Sequence, residues 1–170
     1  MDSSIFVIVA LQLILQEHAV FGQEVTCSMD GSILSKGRCY KKYMEVMNWE
    51  TAKEACQLLN GSLAAFDSKT QLQDLDIAMP FWIGANDIDK DGVWLWASTN
   101  ESATNLLQEL WALSQAPSTP HDCAVVMYMN STVRVGGSTC ANQLHYICMW
   151  PAHNASDSST LASNSILSTP

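Results

Sequence analysis

Six cysteines constrain this chain more than any other feature: Cys27, Cys39, Cys56, Cys123, Cys140 and Cys148. All of them follow an apolar run at residues 5–15, and an even number of cysteines behind such a leader predicts disulfides. The fold must then bring segments far apart in sequence within bonding distance, and the count alone leaves the pairing open. Cys140, His145 and Cys148, with Cys123 and His121 nearby, also have the residue types of a zinc site; oxidising export favours disulfides over that reading.

The run at 5–15 turns polar at Gln16, Glu17 and His18 and then offers small residues at Val20 and Gly22. It reads as a secretory signal peptide over residues 1–22, although Asp2 stands where a basic residue is usual. A membrane-spanning helix needs about 20 apolar residues, and this run is broken well before that. With 170 residues the chain has room for one domain, expected over 23–150. Residues 151–170, rich in Ser, Thr, Ala and Asn, read as a disordered tail that accepts O-linked sugar. The chain carries 17 acidic against 8 basic side chains, and losing Asp2 and Glu17 with the leader leaves it acidic. Nucleic acid is therefore not an expected partner, and Lys36, Arg38, Lys41 and Lys42 read as a solvated edge.

From Asn48 the pattern is helical, with Trp49, Ala52, Cys56 and Leu59 on one face, Asn48 as the N-cap and Gly61 as the stop. A short buried strand at 62–66 follows. A second helix begins after Asp67-Ser68, carries Leu72, Leu75 and Met79, and ends at Pro80. Residues 81–85, 93–97 and 124–129 read as strands, and 132–135 and 145–149 as a last pair straddling Gly136-Gly137. Two early helices followed by antiparallel strands make an α+β domain. Residues 98–120 show little regular pattern, and a loop of that length is usually functional or mobile.

In this order the chain resembles the C-type lectin-like domain family from about Cys27 to Met149. The resemblance rests on Trp49-x-x-Ala52-x-x-x-Cys56, Gly61-Ser62-Leu63-Ala64, Phe81-Trp82-Ile83-Gly84, Gly92-Val93-Trp94-Leu95-Trp96, Asp122-Cys123, Cys140 and Tyr146-Ile147-Cys148. It implies a disulfide-stapled α+β fold of two helices, antiparallel strands and a long loop. It further implies the pairs Cys56–Cys148, Cys123–Cys140 and, in the long form, Cys27–Cys39. Trp82, Trp94 and Trp96 alternate with aliphatic residues and read as core, whereas Trp111, in the loop, is the more open one.

Sugar-binding members hold calcium with oxygen-bearing triplets in the long loop and before the next cysteine, because calcium takes about six to eight oxygens. Here the corresponding residues are Ala116-Pro117-Ser118, His121 before Asp122-Cys123, and Val135-Gly136-Gly137. Nearly all side-chain ligands are missing, so the expectation is no cofactor and no calcium-dependent sugar binding at that place. Asp87, Asp91 and Asp122 match an auxiliary calcium site of some members, but Thr119 and His121 stand where further carboxylates would be, so any such site is weak. Asp87-Ile88-Asp89-Lys90-Asp91-Gly92 also opens like an EF-hand loop; Ser98 at the closing position ends that reading. The bland alternative, solvated turn aspartates beside Gly92, is the favoured one.

Beyond the leader only His121, His145 and His153 could serve as a base, and no nucleophile motif accompanies them, so no enzyme is expected. Asn60, Asn100, Asn130 and Asn154 head Asn-x-Ser/Thr sequons and are candidate glycan acceptors. The expectation is a secreted, extracellular recognition module without a membrane span, open to homo-oligomers. It would bind a protein or glycan ligand without calcium, through Trp111, Gln115, Ala116, Pro117, Ser118 and His121. A calcium-dependent lectin of innate defence and a structural extracellular matrix protein are the alternatives.

Overall fold

The computed structural model describes residues 24–112 and 120–154. By its contacts the chain divides into Cys27–His153 and a second unit formed from its two ends. Among the described residues the first unit carries one large sheet and three helices. Its strands are β1 (Ile33–Ser35), β2 (Arg38–Met47), β3 (Ser62–Leu63), β4 (Phe81–Asn86), β5 (Leu95–Trp96), β6 (Cys123–Met129), β7 (Thr132–Ser138) and β8 (Leu144–Pro151). The helices are α1 (Trp49–Leu58), α2 (Lys69–Gln73) and α3 (Thr104–Leu110). The sheet runs β1-β2-β8-β4-β6-β7, with β3 on β8 and β5 on β4. Its pairings are antiparallel except β4 with β8, where Phe81 opposes His145 and Trp82 opposes Tyr146 in parallel. The sheet is thus mixed, not wholly antiparallel, because the last strand enters between two strands laid down earlier.

Alternation along the strands explains why both sheet faces are buried, since successive side chains point to opposite sides. Phe81, Ile83 and Ala85 join Ala124, Val126, Ile147 and Tyr40 in one core with Leu107 and Leu110 of α3. Trp82, Val125, Tyr146 and Cys148 join Trp49, Ala52 and Cys56 of α1 in another. Trp82, Trp94 and Trp96 are buried, as their alternation predicts. Two indoles reach backbone carbonyls from inside the core: Trp49 Nε1 donates to Ile83 O (2.8 Å) and Trp82 Nε1 to Met47 O (2.9 Å).

The cysteines form the three pairs that the resemblance implies, Cys27–Cys39, Cys56–Cys148 and Cys123–Cys140, and no cysteine is free. That settles the zinc alternative in favour of disulfides. The first pair ties the N-terminal segment to β2, the second ties α1 to β8, and the third holds the base of β6 to the segment before β8.

Several elements differ from the sequence expectation. Asn48 caps α1, its side chain accepting from Thr51 N–H (2.8 Å), but the left-handed residue at the helix end is Asn60 (φ 56°), not Gly61. Gly61 is needed for packing: a Cβ there would lie 2.6 Å from the Trp150 indole. The second helix stops at Gln73, far short of Pro80. The carbonyls of Leu75 and Asp76 accept from Lys42 Nζ (2.8 and 3.0 Å) and Asp76 is left-handed, which is incompatible with continued helix. The stretch 98–120 contains α3, which buries Leu107 and Leu110. Of 93–97 only Leu95–Trp96 is strand, and β7 runs through Gly136-Gly137 to Ser138, with Gly136 opposite Val125. The segment 38–47, whose cations Arg38, Lys41 and Lys42 are half-buried, is a ten-residue strand, and Arg38 pairs with Asp67 (3.0 Å).

Candidate functional site

The candidate surface is built where β4 and β7 end and β6 begins. Asp87 directly follows β4 and is only 4% exposed. Its backbone N–H donates to Asp122 O (3.0 Å), its Oδ2 accepts from Gly92 N–H (2.8 Å), and its Oδ1 has no hydrogen-bond partner. Gly92 closes this turn at φ 78°, a conformation that residues with a Cβ adopt at a cost. Desolvation pushes the Asp87 carboxyl above the ordinary carboxylate value; the Gly92 N–H opposes this, and the charges of Asp122 and Asp91 add to it. Asp87 therefore feels the charges of the other two aspartates singled out in the sequence. Asp91 is exposed and Asp122 half-buried.

Among the described residues no group of three or more His, Cys, Asp or Glu side chains is arranged to hold a metal ion. At Val135-Gly136-Gly137 the fit is worse: Val135 is buried within β7, its carbonyl accepts from Ala112 N–H (2.8 Å), and the glycines bring no side-chain oxygen. A Cβ on Gly136 would lie 2.9 Å from Met127 Cε, so a ligating side chain could enter there only by displacing that methionine.

Of the ligand-binding residues expected from sequence, Gln115, Ala116, Pro117 and Ser118 lie outside the described residues. Trp111 is 5% exposed and meets Trp94 edge-on, with ring centroids 5.0 Å apart. It anchors the stem of the long loop from within the core and bridges to Val135. His121 is exposed, one residue before Asp122. The sequon residues Asn60, Asn100 and Asn130 are exposed and left-handed, at φ 56°, 61° and 50°, and Asn154 is half-buried.

Two cavities among the described residues have no counterpart in the sequence reading. One, of about 280 Å³, lies between the start of α1 and the 86–100 segment and is lined by Trp49, Lys53, Asn86 and Asp87 among others. The second, about 530 Å³, separates the Phe66–Lys69 turn from α3 and bears Asp67, Glu101 and Glu109. Neither carries a spacing motif, since each is assembled from segments that meet only in the fold. The one available signal was Asp87, whose neighbours in sequence suggested a solvated turn.

Comparison with known proteins agrees with this geometry. The chain is 26% identical over 153 residues to lectin BRA-3 of Megabalanus rosa, covering 85% of this chain and 91% of that one. It is 27% identical over 136 residues to snaclec echicetin subunit beta of Echis carinatus sochureki, covering 74% and 99%. In fold it is similar to a calcium-independent type II antifreeze protein, with a TM-score of 0.66 at 20% identity over 78% of this chain and 99% of that one. Residues 45–150 match the family model described as the lectin C-type domain; with its three disulfides and mixed sheet in place, the chain belongs to the C-type lectin domain family.

Proposed function

We propose that the protein is a secreted extracellular recognition module whose long loop, from Trp111 to His121, binds a protein or glycan ligand without calcium. The observation that carries this reading is the interior of β7. Where calcium-dependent members of the resemblance place oxygen-bearing side chains, this chain has Val135-Gly136-Gly137, with Val135 O already bonded to Ala112 N–H. The similar antifreeze structure is itself described as calcium-independent, and a similar murine dendritic-cell receptor domain is described in complex with an N-glycan. Calcium independence and a glycan ligand therefore each have a counterpart among similar structures. The family is one of binding domains, and the chain is not an enzyme. Among the described residues no helix is long and apolar enough to cross a membrane. Three disulfides suit an oxidising, extracellular place, and the exposed Asn60, Asn100 and Asn130 are its proposed glycan acceptors.

A calcium-dependent lectin is the second reading, favoured by the unpartnered Asp87 Oδ1 beside Asp91 and Asp122. Calorimetric titration of calcium into chelator-stripped protein, paired with a glycan array run with and without calcium, separates the two. No calcium heat and an array pattern indifferent to chelator are expected. Calcium heat together with a glycan signal that chelator abolishes would replace the first reading by the second.

A further inference from the structure

Asp87 presents a physical problem that its turn does not solve. A buried carboxylate oxygen without a donor is costly, because the water it gave up is not replaced. Oδ2 has the Gly92 N–H; Oδ1 has nothing. Asp87 lines the cavity of about 280 Å³ beside α1 together with Glu50 and Asp89, so a cation seated there adjoins three carboxyl-bearing side chains. The cavity also has apolar wall from Val93, Leu95 and the Trp49 ring, while Asn86, whose side-chain NH₂ donates to Leu95 O (3.5 Å), adds a neutral acceptor.

Carboxylates set beside apolar side chains suit a cation carried on a methylene stem. Calcium would need about six to eight oxygens and has no use for those walls; an ammonium needs three acceptors or an aromatic face. The rim already displays that chemistry: Lys53 Nζ sits 2.6 Å from Glu50 Oε1 and 5.3 Å from the Trp49 ring centroid. The volume falls just below the range of about 300–1,000 Å³ typical of drug-sized ligands, so it suits one side chain rather than an oligosaccharide.

We propose that this cavity is a subsite for a primary alkylammonium group, with Asp87 as its counter-ion and the Trp49, Val93 and Leu95 wall as the seat of its methylene stem. The group belongs to a lysine side chain of a protein or to a free amine. The subsite contains no residue of the long loop and stands whether or not that loop binds a ligand. Lys53, on the rim, opposes the incoming charge and tunes the affinity.

The test is a titration of the ¹⁵N-labelled, chelator-treated protein with N-acetyl-lysine methylamide, n-butylamine and the neutral N-acetyl-norleucine methylamide, followed by amide and indole shifts. Both amines should move the 86–93 amides and the Trp49 indole N–H, and the norleucine compound should not. Asp87→Asn should weaken amine binding about tenfold or more, since a buried charge partner is lost. Lys53→Gln should tighten it about threefold by removing a like charge. A lysine derivative binding about tenfold tighter than butylamine points to a protein source, and equal affinity to a free amine; either supports the site. Equal shifts from the norleucine compound, unchanged amine affinity in a well-dispersed Asp87→Asn spectrum, or no shifts at millimolar amine would overturn it. Should Asp87→Asn lose its dispersed spectrum, Lys53→Gln decides: unaltered or weaker amine affinity in that variant also overturns the proposal.

Discussion

Asp87 shows how a single side chain can look ordinary in sequence and prove unusual in the fold. Its raised pKa means that the folded state holds the proton more tightly than the unfolded state does. The stabilisation is therefore complete below the ordinary value of 3.8 and is lost as pH rises from there through the folded pKa. Urea midpoints of metal-free protein should fall over that window, and the fall should be smaller in Asp87→Asn, which keeps an oxygen for Gly92 N–H; an identical slope would contradict the assignment. Gly84 is fixed by close approach of the backbone instead. A Cβ there would lie 2.7 Å from Leu63 O and 3.2 Å from Ala64 O, both backbone, so Gly84→Ala should cost about 1–3 kcal/mol in denaturant unfolding. The Trp82, Trp94 and Trp96 positions were legible because alternation fixes which side chains turn inward. The burial of Asp87 and Trp111 was not, since it comes from segments distant in sequence: Asp122, whose carbonyl takes the Asp87 N–H, and Trp94 and Val135, which meet Trp111.

Among the elements, α1 was the most legible, its spacing giving both its apolar face and its Asn48 cap. The ten-residue β2 was hidden by Arg38, Lys41, Lys42 and Glu45, and it is a strand because β8 pairs along it from Arg38–Pro151 to Tyr43–Tyr146. The seven-residue α3 has no side-chain cap and rests on Leu107 and Leu110 reaching the core. The disulfides act on elements too. Cys56–Cys148 spans 92 residues and Cys123–Cys140 spans 17. Loop-closure entropy then predicts a loss of about 4–5 kcal/mol for Cys56→Ser with Cys148→Ser, against about 3 for Cys123→Ser with Cys140→Ser. Urea unfolding of the two double variants tests the order, and a larger loss in the second would reverse it.

For the molecule as a whole, the family pattern disclosed the disulfide connectivity and the α+β class, whereas the parallel entry of β8 lies beyond any local pattern. If calcium has no site here, adding millimolar calcium should leave the thermal midpoint within about 1 °C of its value in chelator, because only a ligand that prefers the folded state shifts it. A rise of several degrees would contradict this. β8 pairs with β2, β3 and β4, all of which precede it in the chain, and lies between β2 and β4. During synthesis, then, the ribosome must deliver residue 144 and beyond before the sheet can close. Until that moment β2 and β4 present open edges to any other nascent strand, and Cys56 waits for a partner 92 residues downstream. Productive maturation of this protein is a race between its last strand and its neighbours on the polysome.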